Sequence, residues 1–188
     1  MVEHEEYPPL QYPTNPNLPK SAYPDVTNQV NDLLKKRGQY VKALYYEEGK
    51  ALGFFSEKGV YTLFKSNFGN NYPFDLQVNQ GLPGQTVPTD KITFEQDGTV
   101  QTVDQYALFQ GKIVRAGYLS NYAYGYLSAA GRLSVEETKT DAWFIGDSGY
   151  NLSEDNNKKD NDAIKDGYNS YWKQHPIERR LIWPSDYF

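Results

Sequence analysis

This chain of 188 residues contains no cysteine. That excludes disulfides, thiolate nucleophiles and every cysteine-bearing metal site. It also suits a protein that crosses between redox compartments, because no thiol state has to be managed. Positive charge is scarce too: 19 Lys and Arg stand against 24 Asp and Glu, a formal net charge of −5. With a pI of about 5.1 there is no overall electrostatic footprint for nucleic acid, although a local basic patch needs only a few side chains. Histidine is limited to His4 and His175. No apolar run approaches the ~18 residues of a membrane span. The opening MVEHEEYPPL carries acids where a signal peptide has its basic region, and it has no apolar core. GxGxxG, P-loop, HExxH, GxSxG and paired Cys/His patterns are all missing, so functions built on those motifs lose their support.

Tyrosine, by contrast, is plentiful, with 17 in a chain whose aromatic content is 15%. Mean hydropathy is nonetheless low, at −0.76. Tyrosine reconciles the two, because it buries a large ring while keeping a hydroxyl that needs a partner. Disordered chains are poor in aromatics, so this composition predicts a folded domain. The length suffices for one domain with a sizeable core.

Six of the 11 prolines fall in residues 1–24: Pro8, Pro9, Pro13, Pro16, Pro19 and Pro24. This segment reads as an extended arm or linker outside the fold. A single globular domain is expected over 25–188. Val26, Val30, Leu33 and Leu34 recur at helical spacing. Asp25 can cap that helix, and Gly38 can end it after Lys35, Lys36 and Arg37. Further helical stretches are expected near Tyr40 to Glu48 and, softened by Gly53 and Gly59, beyond Lys50. Residues 67–90 read as loop.

KITFEQDGTVQTV predicts a hairpin turning at Asp97-Gly98, and YALFQGKIVRA a second turning at Gln110-Gly111. Ser134 and Glu137 have capping-box spacing. DSGYNLSEDNNKKDND reads as a polar loop, and then DAIKDGYNSYWKQHP as a last helix that Pro176 stops. The fold class is therefore α+β and mainly helical, with five to six helices and a small antiparallel sheet inserted in the middle.

AGYLSNYAYGYLSAAGRLS, from Ala116 to Ser134, is the richest segment. With Ser120 as N-cap, Leu119, Tyr122, Ala123, Tyr126, Leu127, Ala130 and Leu133 fall on one helix face, a core stripe. Asn121, Gly125, Ser128 and Arg132 fall on the opposite face, with Tyr124 beside it. A mid-helix glycine costs roughly 1 kcal/mol against alanine. Close packing of another helix explains Gly125. So does a polar site lined by Asn121, Tyr124, Ser128 and Arg132.

Several segments in this order resemble the polymorphic toxin type 44 domain, a C-terminal toxin domain of bacterial polymorphic toxins. They are LFKSNFGNNYPFDLQ (63–77), FQGKIVRAGYLSNYAYGYLSAAG (109–131) and EDNNKKDNDAIKDGY (154–168). The best-matched positions are Asn121, Tyr122, Tyr124, Gly125, Gly131, Asp155, Asp160, Ile164 and Gly167. The chain departs from the family where an acid and a second polar residue are usual, having Ala116, Gly117, Ser120 and Ala123 there. The resemblance implies a secreted effector, delivered into target cells as the end of a larger protein and neutralised by a cognate immunity protein. Its activity would be that of a hydrolase, most often a nuclease.

Three constellations can carry chemistry. Glu154, Asp155, Asp160 and Asp162 cluster oxygens that can bind a divalent metal; a solvated loop capping the last helix accounts for them equally. An EF-hand is excluded, since counting from Asp155 the glycine position holds Asp160. His175 can act as general acid or base near neutral pH, or it can simply favour a helix C-terminus. Arg179 and Arg180, beside Trp183 and Tyr187, can hold phosphates and stack bases, or belong to a packed tail. DGYNSYWKQHP also resembles, at Asp166, Tyr168 and His175, the Asp-x-Tyr-Asp…His-Arg pattern of colicin M-type bacteriocins, which cleave a lipid-linked cell-wall precursor.

The first expectation is a ribonuclease with no required cofactor, a divalent metal remaining open. His175, Asn121, Tyr124 and Arg132 would be catalytic, while Ser128, Arg179 and Arg180 bind substrate. Asp155, Asp160 and Asp162 would be the metal ligands if there is a metal. A toxin acting on the cell wall is the second expectation. A tyrosine-rich surface or adhesion module without catalysis is the third.

Overall fold

The computed structural model describes residues 12–51, 91–94, 100–103, 105–135, 138 and 154–178. Its order is a 3-10 turn at Lys20–Ala22, helix α1 (Thr27–Ala51), strands β1 (Lys91–Phe94), β2 (Val100–Val103), β3 (Tyr106–Phe109) and β4 (Lys112–Arg115), then helices α2 (Ala116–Ala130) and α3 (Glu154–Gln174). The chain is mainly helical with small antiparallel hairpins between the helices, as its pattern predicts. Among the described residues there are three long α-helices and one 3-10 turn, fewer than the five to six helices expected.

One reason for the smaller number is that α1 runs through Gly38. Its terminating signal is overridden by packing. Gly38 is buried, and a Cβ there would meet Tyr126 Cε1 at 3.4 Å and Ala130 Cβ at 3.7 Å, which is ordinary contact. Val30, Leu34, Arg37 and Val41 share the buried face. Asp25 Oδ1 accepts the Thr27 N–H at 2.9 Å and caps the helix start as predicted.

Both hairpins form where the alternation places them. β3 pairs with β4 antiparallel with Phe109 opposite Lys112. The two-residue turn between them has positive φ at both Gln110 (49°) and Gly111 (75°), the type I′ geometry that matches strand twist. β1 pairs with β2 with Phe94 opposite Val100; the Asp97-Gly98 turn itself lies outside the described residues.

The proline-rich segment is not excluded from the fold over its described part. The N–H of Tyr106 donates to Pro13 O, and that of Leu108 to Pro24 O, each at 2.9 Å. Val26 N–H returns a bond to Leu108 O at 2.9 Å. An open strand edge needs such partners, and a proline, which lacks an N–H, still offers its carbonyl. Tyr12 and Tyr23 are buried in the process.

β4 runs directly into α2, with extended Arg115 as N-cap. Ser120 is therefore not the cap but lies one turn inside. The helix ends in a Schellman arrangement: Arg132 N–H donates to Ala129 O at 3.0 Å and Leu133 N–H to Ser128 O at 3.1 Å. The left-handed residue is Arg132, at φ 64°, rather than its glycine neighbour Gly131, at φ −78°.

α3 begins at Glu154, so the acidic run read as loop is its opening turns. Acids there favour the positive end of the helix dipole, and the buried stripe of Ala163, Ile164, Gly167 and Tyr171 anchors the later turns. α2 and α3 lie side by side in the same direction. Arg115 sits by Asp160 near their starts, and Tyr126 by Tyr171 and Gln174 toward their ends.

The two helices cross through glycines. A Cβ on Gly125 would overlap the Ile164 carbonyl oxygen and lie 2.7 Å from its carbon; one on Gly167 would overlap the Tyr122 carbonyl oxygen and lie 2.8 Å from its carbon. Ala129 and Ala163, each four residues from its glycine, keep the contact narrow. Small residues at this spacing are what let two helix backbones touch.

The core gathers around this pair. Val26, Val30 and Leu34 of α1, Phe109 of β3, Leu119 and Leu127 of α2 and Ile164 of α3 are all essentially inaccessible. Burial of each such side chain is worth about 1.5–3 kcal/mol. Phe109 meets Tyr122 edge to face with centroids 5.0 Å apart.

Candidate functional site

The polar face predicted for α2 does not form one surface. Residues 122–131 are buried all round. Gly125 is consumed by the crossing with α3. Ser128 is fully buried and its Oγ has no partner among the described residues. Tyr124 is buried as well. The remaining members separate to opposite ends of the helix pair.

At the leading end, Arg115 Nη2 donates to Asp160 Oδ1 at 2.7 Å. Burial pushes the Asp160 carboxyl above its usual range, while Arg115, a hydrogen bond from Asn121 and the charge of Lys159 pull the other way. Tyr118 donates to Asp166 Oδ2 at 2.9 Å. Burial, reinforced by Asp166, pushes the Tyr118 hydroxyl up. Asn121 and Asp160 thus belong to a tie between α2 and α3. Asp162 is exposed on α3, and Asp155 lies in its opening turns. Among the described residues no three His, Asp or Glu side chains gather as a group able to hold a metal ion.

The trailing end holds a different cluster. His175 comes directly after α3, and its N–H donates to Tyr171 O at 3.0 Å. Its imidazole stacks on Tyr171, with centroids 4.4 Å apart and planes 27° apart. Pro176 stops the helix and starts a turn over 176–178 that brings Glu178 back. Glu178 Oε1 lies 3.4 Å from His175 Nδ1 and accepts from Lys42 Nζ of α1 at 2.6 Å. Tyr171 Oη donates to Glu178 Oε2 at 3.4 Å.

The electrostatics reflect that packing. Burial opposes ionisation of Glu178, but the Lys42 bond and charge and the nearby His175 together hold its carboxyl below the usual range. Burial drives the Tyr171 hydroxyl up, reinforced by Glu178, while the positive charge of Arg132 pulls it back. Arg132, at the end of α2, therefore acts electrostatically on the same cluster. Tyr126, pushed up to about 12 by burial, donates to Gln174 Oε1 at 3.0 Å and braces the floor.

The imidazole is about a third exposed, and its Nε2 has no partner among the described residues. A partly exposed imidazole with a carboxylate at one nitrogen and cations close by can take up or deliver a proton beside an anion. Of the predicted residues, His175 lies in this cluster and Arg132 is linked to it through its charge at Tyr171, whereas Asn121, Tyr124 and Ser128 do not join them. Arg179 and Arg180 lie outside the described residues. Tyr171 was legible only as part of the apolar stripe of the last helix, and Glu178 and Lys42 were not legible in the sequence. Glu178 stands at a helical three-residue spacing from His175, a signal masked by the proline between them. Lys42 is 136 residues away from Glu178 in sequence and left no local trace.

No family model matches this chain, and no curated protein or solved structure matches it either.

Proposed function

We propose that this chain is the effector domain of a bacterial polymorphic toxin, a hydrolase that cleaves RNA in a target cell and is held in check by a cognate immunity protein. The observation that carries the reading is the partly exposed His175 set against Glu178, with Lys42 bonded to the same carboxylate. Cleavage of a phosphodiester needs a proton acceptor, a proton donor and charge stabilisation of the phosphorane. His175 Nε2 takes the role of acid or base. Lys42 is ion-paired with the carboxylate beside the ring, and Arg132, whose charge is felt at Tyr171, is the candidate for holding phosphate on a chain whose overall charge is −5. Asn121 and Tyr124, expected to be catalytic from the polar face of their helix, have no place in this cluster and act on the scaffold instead.

The test is expression of the whole chain in the bacterial cytoplasm and, separately, exported to the periplasm. Growth arrest with degraded RNA is expected only from the cytoplasm. His175→Ala abolishes it, with a loss of about 10²- to 10⁴-fold in RNA cleavage by purified protein, the range for a lost general acid or base. Intact RNA in arrested cells, or undiminished cleavage by His175→Ala, overturns the ribonuclease reading. Lysis confined to periplasmic export would move the target to the cell wall.

A further inference from the structure

The cluster at the trailing end contains a carboxylate whose position a clamp alone leaves unexplained. Glu178 is the meeting point of three elements: Lys42 from α1, Tyr171 and His175 from α3 and its extension, and the turn that carries Glu178 itself. A purely structural clamp between α1 and the turn needs only Lys42 and Glu178. It does not need the imidazole laid flat over Tyr171 with Nδ1, and not Nε2, toward the carboxylate.

We propose that Glu178 is the positioning residue of His175: its carboxylate holds the Nδ1–H form of the ring, with Tyr171 as the floor, so that Nε2 keeps its lone pair and faces the substrate. The part about substrate rests on the hydrolase reading above; the part about the ring does not. A neutral imidazole carries one proton, and the nitrogen that bears it is set by what the other groups accept. Glu178 offers only acceptor oxygens. Lys42, at 2.6 Å, keeps that carboxylate charged and fixes its orientation. The 3.4 Å separation between Nδ1 and Oε1 is longer than a formed hydrogen bond, and such contacts commonly close when substrate binds. Even at that distance the anion favours the proton on the near nitrogen.

The chain suits a direct test, because only His4 and His175 contribute histidine signals. Nitrogen-15 spectra of histidine-labelled full-length protein, with His4→Ala to assign the ring, report which nitrogen of His175 is protonated above its titration. The expected result is Nδ1–H in the wild type and in Lys42→Met. In Glu178→Ala the ring reverts to the Nε2–H form that free histidine prefers. Glu178→Gln, which keeps the shape but replaces the anion with an amide that can also donate, reverts in the same way. RNA cleavage falls by about 10- to 100-fold in Glu178→Ala, as for other partners that orient an imidazole. An Nε2–H ring in the wild type overturns the proposal, and that measurement needs no variant to fold. An unchanged ring in folded Glu178→Ala overturns it as well. If the wild-type ring is Nδ1–H but the protein leaves RNA intact, the positioning stands and the ribonuclease reading falls.

Discussion

Replacing Gly125 with alanine sets two effects of opposite sign against each other. Helix propensity alone favours alanine by about 1 kcal/mol at a helix interior. Packing opposes it, because the new Cβ would overlap the Ile164 carbonyl oxygen and lie 3.0 Å from the Ile164 Cα. These are backbone atoms, so no rotamer change makes room and the two helices must separate. Overpacking of this kind typically costs about 1–3 kcal/mol, and the rigid backbone target places it at the upper end. A net loss of about 2 kcal/mol is expected, lowering Tm by roughly 4–8 °C for a chain of this size.

Gly38→Ala is the internal control. It too lies inside a helix, but its nearest contact is a flexible ring edge at 3.4 Å, so propensity wins and it gains about 0.5–1 kcal/mol. The assay is urea denaturation monitored by the fluorescence of buried Trp172. Gly167→Ala, whose Cβ meets the Tyr122 carbonyl from the other side, should resemble Gly125→Ala. The double variant should cost less than the sum, since one separation relieves both clashes. Gly125→Ala as stable as Gly38→Ala would refute the backbone crossing.

Two further predictions concern single residues. Hydrogen bonds from the Thr27 side chain and backbone hold the Asp25 carboxyl below its usual range, so its contribution is complete above the unfolded value and fades as pH falls through the folded one. Asp25→Ala should therefore cost about 1 kcal/mol at pH 7, with the gap to wild type closing below about pH 4; a gap that persists in acid contradicts the cap. Arg132 occupies a left-handed position at φ 64° where glycine carries no penalty, so Arg132→Gly relieves about 1 kcal/mol of backbone strain, which offsets the side-chain interactions it loses, and stability should stay within about 1 kcal/mol of wild type while RNA cleavage falls. Full activity would remove Arg132 from the proposed site.

Much of the local architecture was readable from residue order. The stripe Val26, Val30 and Leu34, the cap at Asp25 and the Gln110-Gly111 turn each depend on neighbours within a few residues. Gly38 and the acidic run before Asp162 misled for a common reason. Both carry genuine local signals for a break: at Gly38 packing against Tyr126 and Ala130 overrules it, and the acidic run is carried into the helix whose later turns are buried. The same applies to the α2 face. Asn121, Gly125, Ser128 and Arg132 do align, but their spacing cannot say that α3 lies along them and divides them between two ends of a helix pair.

Residue order was enough for the fold class, the positions of the hairpins and the placing of His175 at the end of the last helix. Periodicity, turn residues and rarity are local properties, and a chain displays them before it folds. The partners of His175 are a different matter, because packing alone assembles them. Glu178 reaches it through a turn that begins at Pro176, and Lys42, bonded to Glu178, arrives from a helix 136 residues away in sequence. Charge pairing acts through space over a few ångströms, and no sequence pattern records which distant residues the packing will bring within that range.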